Sequence, residues 1–420
     1  MNPLSLNATY RSLSALAAKS GILHISLITI SLGFMHSAVA IEDDEIGDGN
    51  QFYARGKTLI QMIEPSLATY VRFDEIDEDQ ETTRDATLIA LQPRFRLALQ
   101  QSNWHLVSQY SLEFGEYVSG DFENFLDHEL RSDWGYRLSR ENQFNIGMVF
   151  RKWQNRWVDQ AIEDFNSGLT DSFDHDSLAF DFSWEHGSKK DRLRSELSAR
   201  TEKTIVESDI EGEFGYEVVQ NRIAGTGFWR VRRKVTLLLD GLYQHYDYKD
   251  REDSDQFRLS AGVDFWMLKR VSGRIQMGYQ NKRFDISNEK ASGFVWNADL
   301  LWLLTQKTTV KFNTARQLLE TFVAYGTVQP ARFGVQEHAR VELVQRWDQT
   351  WDSNLSLTYQ EREFKNSEEE QEATQLIFGT NYKLTPRTTL RADAAYTTQQ
   401  SRITNDFDRW TLTFYANMTF

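Results

Sequence analysis

The chain has 420 residues and no cysteine. That excludes a disulfide scaffold, a cysteine-ligated zinc site, a thiol nucleophile and a lipidated N-terminal cysteine. Basic side chains are the minority, 47 against 61 acidic, for a formal net charge of −14. This balance argues against a nucleic-acid partner. Mean hydropathy is negative, and beyond the first forty residues no segment approaches 18 consecutive apolar residues, so no helical span is expected there. No Pro/Gly/Ser-rich linker and no low-complexity tract divides the chain. Gly-x-Ser-x-Gly and His-Glu-x-x-His are missing too, which leaves no motif for a nucleophile elbow or a zinc hydrolase. Neither catalysis nor a cofactor nor a metal site is expected. What the chain does have is aromatic residues, 13% of the total, an excess for a sequence this polar.

The first forty residues read as an address. Residues 1–20 are polar and carry Arg11 and Lys19, and Gly21 to Phe34 is mostly apolar. Ala38-Val39-Ala40 then fits a small-x-small cleavage site, and Ile41-Glu42-Asp43-Asp44-Glu45 follows. The expectation is a secretory signal over 1–40, cleaved after Ala40. A membrane anchor is the rival, disfavoured by an apolar core too short to span. Residues 41–420 are then a single exported domain with an acidic lead-in over 41–52.

In that domain apolar and polar residues alternate nearly everywhere. Ile89, Leu91, Phe95, Leu97 and Leu99 share one parity, and Gln92, Arg94 and Arg96 the other. Leu130, Trp134, Tyr136 and Leu138 oppose Asp127, Glu129, Arg131 and Asp133. The same period runs through Phe257 to Met267, Phe294 to Leu304 and Trp410 to Phe420. Side chains two apart lie on one face of a strand, so each segment has an apolar and a polar face. A soluble sandwich would alternate as well. Three features favour a transmembrane barrel: a densely charged polar face, aromatics near strand ends, and links that alternate in length. Short links fall near 100–103, 139–142, 187–191, 230–234, 268–271, 305–308, 347–351 and 385–388. Longer polar ones fall at 74–84, 117–124, 154–176, 203–213, 249–255, 285–292, 317–332, 365–373 and 400–408. Nine long and eight short links imply an antiparallel up-and-down β-barrel of about 18 strands, 16 being the alternative. The least defined stretches are 58–73, 214–229, 235–248 and 317–335. The terminal Phe420, closing an alternating strand, resembles the signal read by the outer-membrane assembly machinery, which makes that machinery an expected partner.

A family resemblance runs through these segments. Its first part is Pro65-Ser66-Leu67, Asp85, Pro93, Tyr110, Tyr117 and Asp121-Phe122-Glu123-Asn124-Phe125-Leu126-Asp127-His128. Its second is Gly278-Tyr279 through Phe284, Trp296, Trp302, Thr305, Thr308-Thr309, Arg316 and Glu320. Together they resemble the beta-barrel porin 2 type. Where that family usually carries Asp-Asp-Asn in the first external loop, Asp74-Glu75-Ile76-Asp77 stands here. The resemblance implies an outer-membrane barrel associated with exopolysaccharide or capsule export. Polysaccharide and periplasmic export components are then implied partners, beside outer-membrane lipid and lipopolysaccharide.

With apolar residues facing lipid, the other parity lines a lumen. Its basic candidates for a solute path are Arg94, Arg96, Arg131, Arg151, Arg194, Arg200, Arg258, Arg274, Arg340 and Arg391. Acidic residues such as Asp127, Glu129, Asp181, Asp264 and Asp393 share that face. One reading is a polar channel suited to anions or anionic sugars. The other is cross-strand ion pairs that stiffen the wall. Aromatics at strand ends read as interface anchors, with a lumen-side one such as Trp266 offering a flat face to a sugar ring. The acidic external stretches read as solvated charge, or as carboxylates for divalent cations. His105 with Ser111, and His186 with Ser188, share a parity as a nucleophile and base would. A non-conducting barrel with functional loops is the alternative to a conduit. In it, Trp157, Val158, Ala161, Ile162 and Phe165 form a surface helix or an inward constriction.

Overall fold

The computed structural model describes residues 60–78, 82–120, 123–155, 173–188, 190–208, 216–249, 252–267, 270–287, 290–320, 333–364, 370–401 and 406–420. These lie in one compact unit, Phe52–Phe420. The proposed signal, the lead-in 41–52 and the helix-like stretch 157–165 fall outside the described residues.

Eighteen strands run in chain order: β1 (Ile60–Glu78), β2 (Thr82–Gln101), β3 (Trp104–Ser119), β4 (Phe125–Arg137), β5 (Asn142–Asn155), β6 (Phe173–His186), β7 (Leu193–Ser208), β8 (Tyr216–Arg232), β9 (Val235–Tyr248), β10 (Ser254–Met267), β11 (Val271–Phe284), β12 (Lys290–Leu303), β13 (Thr308–Glu320), β14 (Phe333–Arg346), β15 (Trp351–Phe364), β16 (Glu370–Thr385), β17 (Thr388–Ser401) and β18 (Phe407–Thr419). Each pairs antiparallel with its neighbours in sequence, and β1 pairs with β18 from Ser66↔Thr419 to Glu78↔Phe407. The ring is therefore closed, and no sheet edge is left at its seam. The expected count of 18 is borne out. Strands of 13 to 20 residues exceed the roughly 9–11 that a tilted strand needs to cross hydrocarbon, so they project beyond it.

Alternation decides which face meets what. Phe95, Leu239, Met277 and Leu357 are half or more exposed on the outer wall, a surface that only hydrocarbon would cover. Trp134, Trp229, Trp302, Trp351 and Tyr382, also exposed outward, lie near the end of the barrel where β18 terminates. They form the girdle expected at one interface. We call this the inner end.

The inner-end turns are held by local hydrogen bonds. In the turn between β14 and β15, the Asp348 carboxylate accepts from the Thr350 N–H, the Trp351 N–H and the Thr350 hydroxyl, at 2.7, 2.8 and 2.8 Å. Those bonds hold its carboxyl below the usual carboxylate range. Gly187, after β6, takes φ +90°, a conformation side chains disfavour.

The long-link reading of 74–84 is corrected. Strand β1 runs on to Glu78 and β2 starts at Thr82, so the link is only 79–81. Asp74-Glu75-Ile76-Asp77 is strand, not external loop. Asp74 is not one of the solvated loop acids either: its side chain is fully enclosed, 2.7 Å from Arg72 and 2.8 Å from Arg409. Above the hydrocarbon a strand needs no apolar outer face, so its sequence looks like a loop. Likewise 203–208 extends β7, and 317–320 with 333–335 extends the β13–β14 hairpin.

Candidate functional site

Strand register places all ten arginine candidates on the inward parity, between residues of the exposed outer wall. Eight of them meet a carboxylate. Arg96 lies 2.7 Å from Glu64, Arg131 3.1 Å from Asp133 and Arg151 3.1 Å from Glu129. Arg200 is shared by Asp181 at 3.0 Å and Glu202 at 2.9 Å. Arg258 lies 3.4 Å from Asp240, and Arg274 2.6 Å from Asp264. Arg340 lies 3.8 Å from Glu342 and Arg391 2.7 Å from Asp393. These pairs sit on one strand or on adjacent strands and brace the wall. Being largely half-exposed, each contributes little stability on its own. The remaining two differ. Arg94 bonds to Gln92, and the Arg194 guanidinium lies 3.9 Å from the centre of the Phe228 ring.

A further inward arginine, Arg222 on β8, escaped the sequence reading. It stands directly opposite Arg200 in register and is exposed. The outward Ile223, 54% exposed, was the parity signal that could have found it. Alternation is blurred there because the inward Ala224, Phe228, Leu238 and Leu242 are apolar and buried.

A recess of about 390 Å³ opens on the inward faces of β2 to β6. Gln92, Ser111, Glu113, Asp127, Arg151 and Trp153 are among its walls. Glu113 accepts from the Tyr70 hydroxyl at 2.6 Å and from the Gln92 amide at 3.0 Å. Trp153 stacks on His175 with ring centres 4.9 Å apart. Trp153 thus joins polar groups in a concavity; Trp266 is 56% exposed at the inner end. Among the described residues no group of three or more His, Asp or Glu is arranged to hold a metal ion. His105 and Ser111 are six positions apart on one strand, roughly 20 Å at about 3.3 Å per residue, too far for a nucleophile and its base.

Towards the outer end the interior fills. Pairing of β13 with β12 stops at Trp296↔Arg316, while its pairing with β14 continues to Glu320↔Phe333. Beyond that point β14 stays paired with β15 as far as Gly334↔Phe364, and only β13 loses a neighbour, β12. The Leu318 carbonyl of β13 accepts from the Gln280 amide on β11 at 3.0 Å, so the end of β13 has crossed the inward face of β12. Leu318 lies over Gly293, where an added Cβ would still meet its side chain at an ordinary contact distance of 3.8 Å. Phe284, Ala291, Leu318, Phe333 and Val335 form one buried apolar cluster. Gln280, Lys282, Gln360 and Arg362 are buried nearby on the inward parity. The interior is therefore narrowed on the outer side at β11 to β14.

Known proteins were compared with this geometry. No curated protein matches the chain. The outer membrane protein OpdK of Pseudomonas aeruginosa is similar with a TM-score of 0.50 at 9% identity, over 86% of this chain and 99% of that one. OccAB3 of Acinetobacter baumannii has a TM-score of 0.47 at 10% identity, over 85% and 99%. The FrpB iron transporter of Neisseria meningitidis has a TM-score of 0.49 at 8% identity, over 80% and 62%. At such identities likeness speaks for the fold alone. The family described as "Putative beta-barrel porin 2" matches residues 243–420. That span contains the second stretch of the resemblance, from Gly278 to Glu320, and leaves the first, 64–155, outside. The chain is a closed 18-strand antiparallel β-barrel, and over residues 243–420 it matches the family that its sequence resembles.

Proposed function

We propose that the barrel is a passive conduit for hydrophilic solutes, polysaccharide among them, rather than an enzyme. The observation that carries this reading is the division of the wall into two faces. The outward parity is apolar and exposed, and the inward parity carries ten arginines and their carboxylates. Charges in hydrocarbon would cost roughly 2–4 kcal/mol each near the midplane, which calls for a wet or mutually paired interior. Removal of residues 1–40 on export and delivery by the barrel assembly machinery belong to the same reading. Exopolysaccharide as the cargo rests on the family resemblance. The test is planar-bilayer conductance of the refolded mature chain, followed by current block with a graded series of oligosaccharides. Discrete conductance steps support the conduit, and sugar block that deepens with chain length supports the polysaccharide assignment. A chain that inserts but passes no current would leave the non-conducting, partner-binding barrel.

A further inference from the structure

The central inward face of β7 to β10 holds one arginine that the wall does not use. Asp181 and Glu202 are both taken by Arg200. Asp240 lies 3.4 Å from Arg258 and also accepts from the Thr226 hydroxyl at 2.9 Å and from the Ser260 hydroxyl at 3.4 Å. Arg222 has no hydrogen bond and no ion pair among the described residues, and it is exposed. Its charged neighbours include Arg258, Asp240 and Arg200, two positive and one negative. Arg222 and Arg200 are direct cross-strand partners, and like charges placed so repel each other. A bracing role does not account for such a residue, since it braces against nothing and stands where a neutral side chain would lower the repulsion.

We propose that Arg222 is the anion-coordinating residue of the lumen, taking the carboxylate, sulfate or phosphate group of a passing solute. The proposal rests on the conduit reading and names its solute class. The guanidinium presents a planar fork of N–H donors that matches two oxygens of such a group. An oxyanion there would replace water on the free donors and offset the repulsion from Arg200 and Arg258. Each bracing arginine already spends its donors on a carboxylate, Arg94 is bonded to Gln92, and Arg194 lies over the Phe228 ring near the inner end, so on the central face of β7 to β10 this preference belongs to Arg222.

The experiment uses the full mature chain refolded in micelles, with folding of each variant checked by its heat-modifiable gel mobility. Sodium sulfate and sodium glucuronate are titrated calorimetrically into wild type, Arg222→Gln, Arg222→Lys and, as a control at an inner-end turn, Arg387→Gln. A charge-assisted hydrogen bond is worth about a factor of ten or more in affinity. Both anions should bind the wild type and the control alike, bind Arg222→Gln at least tenfold more weakly, and bind Arg222→Lys at an intermediate level. Glucuronate binding better than sulfate identifies an acidic sugar as the ligand; equal binding identifies the bare anion. No binding by the wild type, or equal binding by Arg222→Gln, overturns the proposal. Bilayer reversal potentials in a salt gradient test the conduit separately. A wild type without current ends the conduit reading while the titration still decides the site. In a conducting chain, Arg222→Glu should shift the preference towards cations.

Discussion

Two adjacent residues on β11 test the assignment of the faces most directly. Met277 is 55% exposed on the outer wall near the middle of its strand, and its neighbour Gln276 points inward. In the barrel, Met277→Arg places a guanidinium against lipid near the midplane, at a cost of about 2–4 kcal/mol. At about 1.4 kcal/mol per tenfold, the folding equilibrium should fall by roughly 30- to 1,000-fold. Gln276→Arg adds the same group one residue away to a wet face that already carries Arg274 and Asp264, and should cost under about 1 kcal/mol. The assay is reversible urea titration of each variant in lipid vesicles, followed by tryptophan fluorescence. Equal penalties at the two positions, or a larger one at Gln276, would refute the division of the wall. It would mean that Met277 packs in a core, as in a pair of stacked sheets.

Three further outcomes follow from particular contacts. Asp74→Ala leaves Arg72 and Arg409 without their shared carboxylate at the β1–β18 seam, and breaking such an enclosed pair costs about 3–5 kcal/mol; the heat-modifiable gel shift should then be lost at a lower temperature than in the wild type. The Asp348 carboxyl, held low by its turn, contributes stability that is present above its unfolded value and lost as pH falls through its folded value. Asp348→Asn should therefore flatten the acid limb of the stability profile, with little change in slope near neutral pH. Gln280→Ala removes the amide that holds the Leu318 carbonyl; limited proteolysis near 317–335 should quicken and single-channel conductance rise.

Legibility in the sequence followed the environment of each stretch. Where a strand crosses hydrocarbon, one face must be apolar and the other wet, and residues such as Phe95 between Arg94 and Arg96 declare both faces at once. Two situations erase that signal. At the outer ends the outward face meets water instead of hydrocarbon and the inward face can bury a carboxylate such as Asp74, so Asp74 to Asp77 looks like a loop although it is strand. Along β8 and β9 the inward face is partly apolar at Phe228, Leu238 and Leu242, so the strands are blurred and Arg222 goes unread. The identity of each arginine's partner was not legible at all. It is set by register and closure, as with Arg409 and Asp74, which are 335 positions apart.

The same divide explains how one chain combines a stiff wall with a selective interior. Bracing pairs use up the charge of most inward arginines and leave the lumen's overall sign weak. On the conduit reading, selectivity comes from the few groups that closure leaves unpaired, with Arg222 foremost. Narrowing comes from elsewhere, because the end of β13 gives up pairing with β12 and crosses its inward face. Lost strand pairing is costly unless the freed groups find other partners, and the Gln280 amide with the Phe284–Phe333 contact supplies part of that compensation. The other side of the hairpin stays zipped into the wall, since β14 pairs with β15 as far as Gly334↔Phe364, so the Gln280 bond and the apolar cluster need secure only the β13 edge.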